Sequence, residues 1–257
     1  MNKILQVNQT LSPKNTDSQS KKLKTNFKNN ILTATNTDDL LTANNIHVIN
    51  GNTFDDIQKA IDRANPGDNI FLDGKTYTGS GTQIQINKQI NIYGGSSITD
   101  TQMAILDGKN LSRIMRNGGG ATQDYDAVNG SSFNYIKFIN GNYSAYGHGA
   151  ALDINGHNNT VNNCIFENST CTSYYGGAMR IWGQNVTIKN SKFVNNKANI
   201  GGGAINCIGR NGTILNCTFI NNTATSGGAL WLNSHEIATV KDCTFINNTA
   251  TNGGAII

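Results

Sequence analysis

One period dominates this 257-residue chain, because a phenylalanine returns at successive intervals of 28, 27, 26 and 26 residues. The members of this series are Phe138, Phe166, Phe193, Phe219 and Phe245. A Gly-Gly-Ala-apolar motif recurs between them at intervals of 25 or 26 residues, and its second glycines are Gly177, Gly203, Gly228 and Gly254. Two independent motifs with one shared period indicate a repeat protein.

Apolar and polar residues alternate around both motifs, as in Met179-Arg180-Ile181. Such alternation is typical of a β-strand. Helical repeats are longer, and leucine-rich repeats need a regular leucine pattern that this chain lacks. Short strands joined by Asn, Gly and Thr turns, repeated about every 26 residues, fit one coil of a β-solenoid. The sequence therefore predicts an all-β solenoid with about 26 residues per coil.

Stacked coils place equivalent residues on top of one another, because neighbouring parallel strands lie about 4.8 Å apart. The phenylalanines are expected to form one interior column. An asparagine two residues after each phenylalanine is expected to form a second column with its amides chained along the axis. The regular members of that column are Asn195, Asn221 and Asn247. The glycine pairs are expected to supply turns with positive φ.

The pairing of Phe219-Ile220-Asn221 with Gly227-Gly228-Ala229-Leu230 resembles the polymorphic outer membrane protein repeat of chlamydial autotransporters. The Asn/Thr-rich background is similar to that of adhesin-like surface proteins of methanogenic archaea, which use the same repeat. The resemblance covers residues 45–257. It implies a right-handed parallel β-helix, the pectin lyase-like fold, in the cell envelope, the cell outer membrane or the extracellular space. The sequence departs from these families in having no evident signal peptide or C-terminal anchor.

The chain divides into a polar, low-complexity tail over 1–44, predicted to be disordered, and a β-helix over 45–257. A capping helix is predicted at about 53–64, with Thr53 as its N-cap. Irregular coils are expected up to about 130 and regular repeats over 133–257, giving about eight coils in all. The last coil is predicted to be uncapped, which suggests end-to-end assembly or a truncated fragment of a larger surface protein.

Charge and cysteine content narrow the function classes. The formal net charge is +4, and residues 1–44 hold six Lys against three Asp, so the repeat region is close to neutral and a nucleic-acid partner is not expected.

An odd count of five Cys, without a Cys-x-x-Cys pair, argues against a disulfide framework and a zinc site. Cys164, Cys217 and Cys243 are predicted to be buried, with a disulfide between adjacent coils as the alternative. No apolar run is long enough for a transmembrane helix.

The strand after each Gly-Gly-Ala motif offers the candidate ligand-binding residues. By alternation, its outward side chains are Asp153, Arg180, Trp182, Asn206, Trp231 and Asn233. Exposed tryptophans beside an arginine stack on sugar rings or contact a partner protein. We therefore assign Arg180, Trp182, Asn206 and Trp231 as the candidate site, with cell-surface glycans or proteins as the expected partners.

Catalytic β-helix proteins need carboxylates clustered on one face, for acid–base work or for calcium. Residues 150–257 contain few acids, predicted to be solvated: Asp153, Glu167, Glu236 and Asp242. The sequence thus predicts no catalytic residue, metal or cofactor, and favours a non-catalytic envelope or secreted protein that mediates adhesion or scaffolding. The alternative is a carbohydrate-active β-helix enzyme, of polysaccharide lyase or glycosidase type, which carboxylates within about 6 Å of each other on the outer face would favour.

Overall fold

The computed structural model describes residues 44–48, 50–119, 125–144, 147–232 and 238–257. They form a parallel β-solenoid of about 7 turns with about 27 residues per turn. The predicted β-helix is therefore confirmed, and the expected eight coils are about one too many. The predicted disordered tail lies outside the described residues, apart from its last residue.

The strands β1–β26 form four parallel sheets. Sheet A contains β1 (Asn45–His47), β2 (Asn69–Phe71), β5 (Asn91–Tyr93), β8 (Ser132–Asn134), β12 (Thr160–Asn162), β16 (Thr187–Lys189), β20 (Thr213–Leu215) and β24 (Thr239–Lys241). Sheet B contains β3 (Thr76–Thr78), β6 (Ala104–Asp107), β9 (Ile136–Ile139), β13 (Ile165–Glu167), β17 (Lys192–Val194), β21 (Thr218–Ile220) and β25 (Thr244–Ile246).

Sheet C contains β4 (Ile84–Ile86), β7 (Met115–Asn117), β11 (Leu152–Ile154), β15 (Met179–Ile181), β19 (Ile205–Cys207) and β23 (Leu230–Leu232). Sheet D contains β10 (Asn142–Tyr143), β14 (Thr170–Cys171), β18 (Lys197–Ala198), β22 (Thr223–Ser226) and β26 (Thr249–Asn252). A short 3-10 helix spans Asp126–Val128.

The interior column of phenylalanines forms as predicted. Phe193 stacks on Phe166 and Phe219 with ring centroids 4.8 and 5.0 Å apart, and the planes lie within 9° of parallel. The same stacking extends to Phe138 and Phe245. These rings lie inside sheet B and pack against apolar side chains from sheets A and C. The period therefore builds a narrow core to which each coil contributes a few inward side chains from sheets A, B and C.

The predicted asparagine column occupies left-handed turns, with φ of 55°, 53° and 51° at Asn195, Asn221 and Asn247. The short amide side chain tolerates this backbone region better than most residues do. The buried amide ladder runs one residue later, where Asn196 Nδ2 donates to Asn222 Oδ1 at 3.0 Å. Asn222 Nδ2 in turn donates to Oδ1 of Asn248 at 2.9 Å. The predicted column itself contains an exposed amide bond from Asn195 Nδ2 to Asn168 Oδ1 at 3.3 Å, whereas the continuous buried ladder lies one residue later than predicted.

The two glycines of each Gly-Gly-Ala motif have different roles. Gly176 adopts φ +69°, as expected for a turn with positive φ. Gly177 is required for close approach instead, because a Cβ there would lie 2.1 Å from the backbone oxygen of Gly203 in the next coil. The prediction of positive φ therefore holds for the first glycine, and tight coil stacking explains the second.

One helix, α1 (Phe54–Arg63), precedes β2 and confirms the predicted helix. Thr53 is its N-cap and forms a capping box with Asp56. Its buried side chains are Phe54, Ile57, Ala60 and Ile61. The Gln58 side chain accepts from Gln85 N at 2.8 Å and donates to Gln85 O at 3.1 Å. Because β4 is the terminal strand of sheet C, Gln58 satisfies backbone groups that no further strand pairs.

All five cysteines are free thiols, and every one except Cys243 is buried. Burial raises the pKa of both Cys164 and Cys217 to about 12. The predicted burial is confirmed for Cys164 and Cys217, whereas Cys243, in the last coil, is half-buried; the three side chains are free thiols and not a disulfide. Separately, none of the helices in the described ranges has the length and apolar character needed to cross a membrane.

Candidate functional site

Strand pairing aligns the outward residues of sheet C in one line. We call this line the sheet C column, and its members in register are Gln85, Arg116, Asp153, Arg180, Asn206 and Trp231. The flanking residues of each strand, such as Leu152 and Ile154, point into the core and are fully buried. The alternation predicted from the sequence therefore places Arg180, Asn206 and Trp231 on one outer face.

Asp153 lies at the centre of an arginine cluster. Arg180 holds it in a bidentate pair, with Nε 2.7 Å from Oδ1 and Nη2 3.1 Å from Oδ2. Arg116 Nε and Arg113 Nη1 lie 3.4 and 3.7 Å from the same Oδ2. Asp153 is only 1% exposed, so its prediction as a solvated surface acid was wrong. The cause is that arginines from neighbouring coils cover the carboxylate.

Arg113 anchors the turn that precedes β11. Its Nε donates to Gly149 O at 2.9 Å, its Nη2 to His148 O at 2.7 Å, and its Nη1 to Gln83 Oε1 at 3.0 Å. The guanidinium also lies 3.9 Å from the centre of the Tyr143 ring. Burial lowers the pKa of Arg113, and the nearby Asp153 carboxylate opposes that shift. Because all three of its nitrogens donate to protein oxygens, Arg113 holds the turn before β11 in place.

Arg116 and Arg180 are the members of this cluster that reach solvent. Their side chains are 30% and 13% exposed, against 3% for Arg113. Nε of Arg116 is buried and has no hydrogen-bond partner among the described residues. Three guanidinium groups thus surround one carboxylate, which leaves an excess of positive charge among the described residues of this cluster.

The two tryptophans of the predicted site differ in environment. Trp182 is 53% exposed, and the Arg180 guanidinium carbon lies 5.7 Å from its ring centre. Trp231 is half-buried, with its ring edge-on to Tyr175 at 4.3 Å. Gly201 leaves room for this indole, because a Cβ there would lie 1.5 Å from it. The prediction of two exposed tryptophans is therefore confirmed for Trp182 and wrong for Trp231.

Of two polar residues beside the cluster, Asn206 is covered and His148 is half-buried. Asn206 points outward from the coil but is only 2% exposed, and its Oδ1 lacks a partner within the described ranges. His148 stacks on Tyr175 with ring centroids 5.4 Å apart. Burial, followed by the positive charge of Arg180, lowers the pKa of His148 to about 4. His148 is therefore neutral at neutral pH and adds no charge to the site.

Two of the other predicted acids, Glu167 and Asp242, form no ion pair with this cluster. Glu167 pairs with Lys137 at 2.7 Å, and Asp242 is exposed. Glu236 and Asn233 lie outside the described residues. Within the described ranges, no group of three or more His, Cys, Asp or Glu side chains is arranged to hold a metal ion. Asp153 is the one carboxylate of the sheet C column, so that column does not contain the acid pair that would favour an enzyme.

Arg113 and Arg116 are the functional residues that the sequence analysis missed. They lie in and before β7, an irregular coil without the Gly-Gly-Ala motif. The signal that was available is Ile114-Met115-Arg116, which matches Ala178-Met179-Arg180 in a later coil, although Asn117 stands where that coil has Ile181.

Comparison with models of protein families, with curated proteins and with solved structures found no match. The resemblance to polymorphic outer membrane protein repeats and to archaeal adhesin-like proteins stays a prediction. The case for a function therefore depends on the geometry of the sheet C face.

Proposed function

We propose that this protein is a non-catalytic, adhesin-like β-helix protein of the cell envelope or the extracellular space. It mediates adhesion or scaffolding by binding glycans or proteins with the outer face of sheet C. The observation that carries the proposal is the exposed Trp182 indole beside the Arg180 guanidinium on a regular strand ladder. An apolar ring next to a cation is a combination that favours sugar and protein contacts.

Rigidity of the face supports binding. Trp182 N donates to Ile154 O at 2.8 Å, so the backbone that carries the indole is bonded to the preceding coil. The Arg180 side chain is fixed by its bidentate pair with Asp153 and by a 2.8 Å bond from Nη2 to Asn155 Oδ1. A site that is ordered before the ligand arrives loses little conformational entropy on binding.

The state of Asp153 favours binding over catalysis. A general base must reach the proton that it abstracts. Both Asp153 oxygens instead accept hydrogen bonds from Arg180, and the side chain is almost fully covered.

Glycan-array binding by the full-length protein tests the proposal. We expect Trp182→Ala to abolish binding to the recognised glycans and Trp182→Phe to retain part of it, because a smaller aromatic ring still stacks. Ile98→Ala is the matched control, since Ile98 is also exposed and apolar but lies in the turn after β5. Equal array signals for wild type and Trp182→Ala would contradict the assignment of this face.

Cell fractionation of the native host tests the location. We expect the protein in the envelope or culture-medium fractions. Recovery in the cytoplasmic fraction alone would contradict the envelope assignment, whatever the array shows.

A further inference from the structure

We propose that the ligand of this face is an anionic saccharide, one that carries carboxylate or sulfate groups. Arg116 and Arg180 bind the oxyanion, and the Trp182 indole stacks on the adjoining sugar ring. This inference depends on the proposed function, since it assigns a ligand class to the same face.

The charge balance of the arginine cluster supports an anionic ligand. Arg113 donates hydrogen bonds from all three of its nitrogens to protein oxygens. Arg180 donates from Nε and Nη2 to Asp153 and Asn155. Arg116 makes only the 3.4 Å ion pair with Asp153 among its contacts to described residues. A guanidinium carries five N–H donors, so Arg116 keeps most of them for a ligand. Partly desolvated cations in excess of their counter-charge favour an incoming anion.

The two solvent-reaching guanidinium groups are close enough to share one ligand. Their strands lie two coils apart, but both side chains turn toward Asp153. Arg116 Nε and Arg180 Nη2 lie 3.4 and 3.1 Å from the same atom, Oδ2. Asp153 therefore acts as a positioning residue that draws the two cations together. Planar guanidinium groups bind carboxylate and sulfate oxygens with paired hydrogen bonds.

The aromatic residue distinguishes a saccharide from a simple anion. The Arg180 guanidinium lies over the Trp182 ring at 5.7 Å, and the indole is 53% exposed, so a sugar ring that stacks on its exposed surface lies next to a cation. His148, neutral because burial disfavours its charged form, adds neither attraction nor repulsion. The expected ligand combines an apolar sugar face with a negative group on the same or the next ring.

Isothermal titration of the full-length protein with matched trisaccharides tests the ligand class. The probes are trigalacturonate, its uncharged methyl ester and a sulfated trisaccharide. We expect a charged probe to bind at least about tenfold more tightly than the ester, since a hydrogen bond to a charged group discriminates by about that factor. The affinity should also fall as sodium chloride is raised.

Variants separate the two halves of the site. Arg116→Gln should weaken binding of the charged probe about tenfold and leave the methyl ester unaffected, because the ester lacks the oxyanion. Trp182→Ala should weaken all probes. Arg63→Gln, which removes one positive charge from α1, should change none of them. Arg116→Lys, which keeps the charge but loses the planar fork, should fall between wild type and Arg116→Gln, and thermal unfolding midpoints will show that each variant is folded.

The outcomes separate this inference from the proposed function. Equal affinity for trigalacturonate and its methyl ester, with both lost in Trp182→Ala, would overturn the anionic ligand and leave the sugar-binding face intact. Tighter binding of polyglutamate than of any trisaccharide would overturn the saccharide class. A preference for either carboxylate or sulfate over the ester supports the inference and identifies the group.

Discussion

The inner face of sheet B and the outer face of sheet C each align one residue from every coil, but the two faces use this alignment in opposite ways. Inside sheet B, one residue type repeats from Phe138 to Phe245, with ring centroids 4.8 to 5.0 Å apart. Along the sheet C column, the residue type changes from each coil to the next. The interior column has to fill the space inside the coils with large apolar side chains: Tyr77 and Leu106 occupy the register in the first coils, and phenylalanine occupies it from Phe138 onward. The exterior column has only to keep its backbone paired, and its side chains are free to form a site.

The contrast also separates two sources of stability. The phenylalanine column is stabilised by burial and ring stacking, which repeat from coil to coil. The Asp153 cluster is stabilised by charge pairing at one place, between residues that do not recur. Removing one phenylalanine should therefore destabilise the stacked coils themselves. Substitutions in the sheet C column should have effects on stability that depend on how deeply each residue is buried.

The largest effect is expected for Phe193→Ala. Phe193 is fully buried between two stacked rings, so truncation removes its apolar area and leaves a cavity. We expect the free energy of unfolding to fall by about 4 kcal/mol. Urea denaturation measures this, with Phe193→Leu as a control that preserves most of the volume and should cost less. A decrease of less than about 1 kcal/mol in the free energy of unfolding would show that the phenylalanine column contributes little to the stability of the core.

The next effect is expected for Asp153→Asn. The change preserves shape but removes the counter-charge of three arginines, two of them largely buried. Breaking a buried ion pair on one side costs about 3 kcal/mol. The matched control is Asp242→Asn, because Asp242 is exposed at φ +54° where equivalent turns carry Asn190 and Asn216. Equal unfolding midpoints for the two variants would contradict a buried, paired Asp153.

The sequence was sufficient to predict the structural features that repeat from coil to coil. The common period of the phenylalanine and glycine motifs predicted the solenoid, the stacked rings and the outward direction of Arg180. Local rules predicted α1, because Thr53 and Asp56 form a capping box that depends only on nearby residues.

Features that depend on contacts between different coils were not predictable. Asp153 is buried because Arg113 and Arg116 reach it from the preceding irregular coil. Trp231 is covered because Tyr175 packs on it and Gly201 leaves space. The amide ladder was misplaced for another reason: two adjacent asparagines follow several phenylalanines, and only the backbone conformation decides which one turns inward.

A smaller, pH-dependent effect is expected from His148. Its folded-state pKa is about 4, below the usual 6.5, because of burial and then Arg180. Between these values the unfolded chain binds a proton that the folded chain does not, so stability falls as the pH drops from about 6.5 to 4. We expect a loss of about 2 kcal/mol after solvent screening. His148→Gln should flatten this part of the stability–pH curve, and an unchanged slope would contradict a half-buried imidazole that stays neutral in the folded protein.

The smallest effect on stability is expected for Trp182→Ala. More than half of this side chain is exposed, so its removal should change the free energy of unfolding by less than about 0.5 kcal/mol. Urea denaturation beside Phe193→Ala makes the comparison direct: both variants lose an aromatic ring from the same solenoid, one from its interior and one from its surface. A loss above about 1 kcal/mol would mean that the indole packs as part of the coil. Weaker glycan binding by Trp182→Ala would then reflect altered structure, and the case for this face would depend on Arg116→Gln alone.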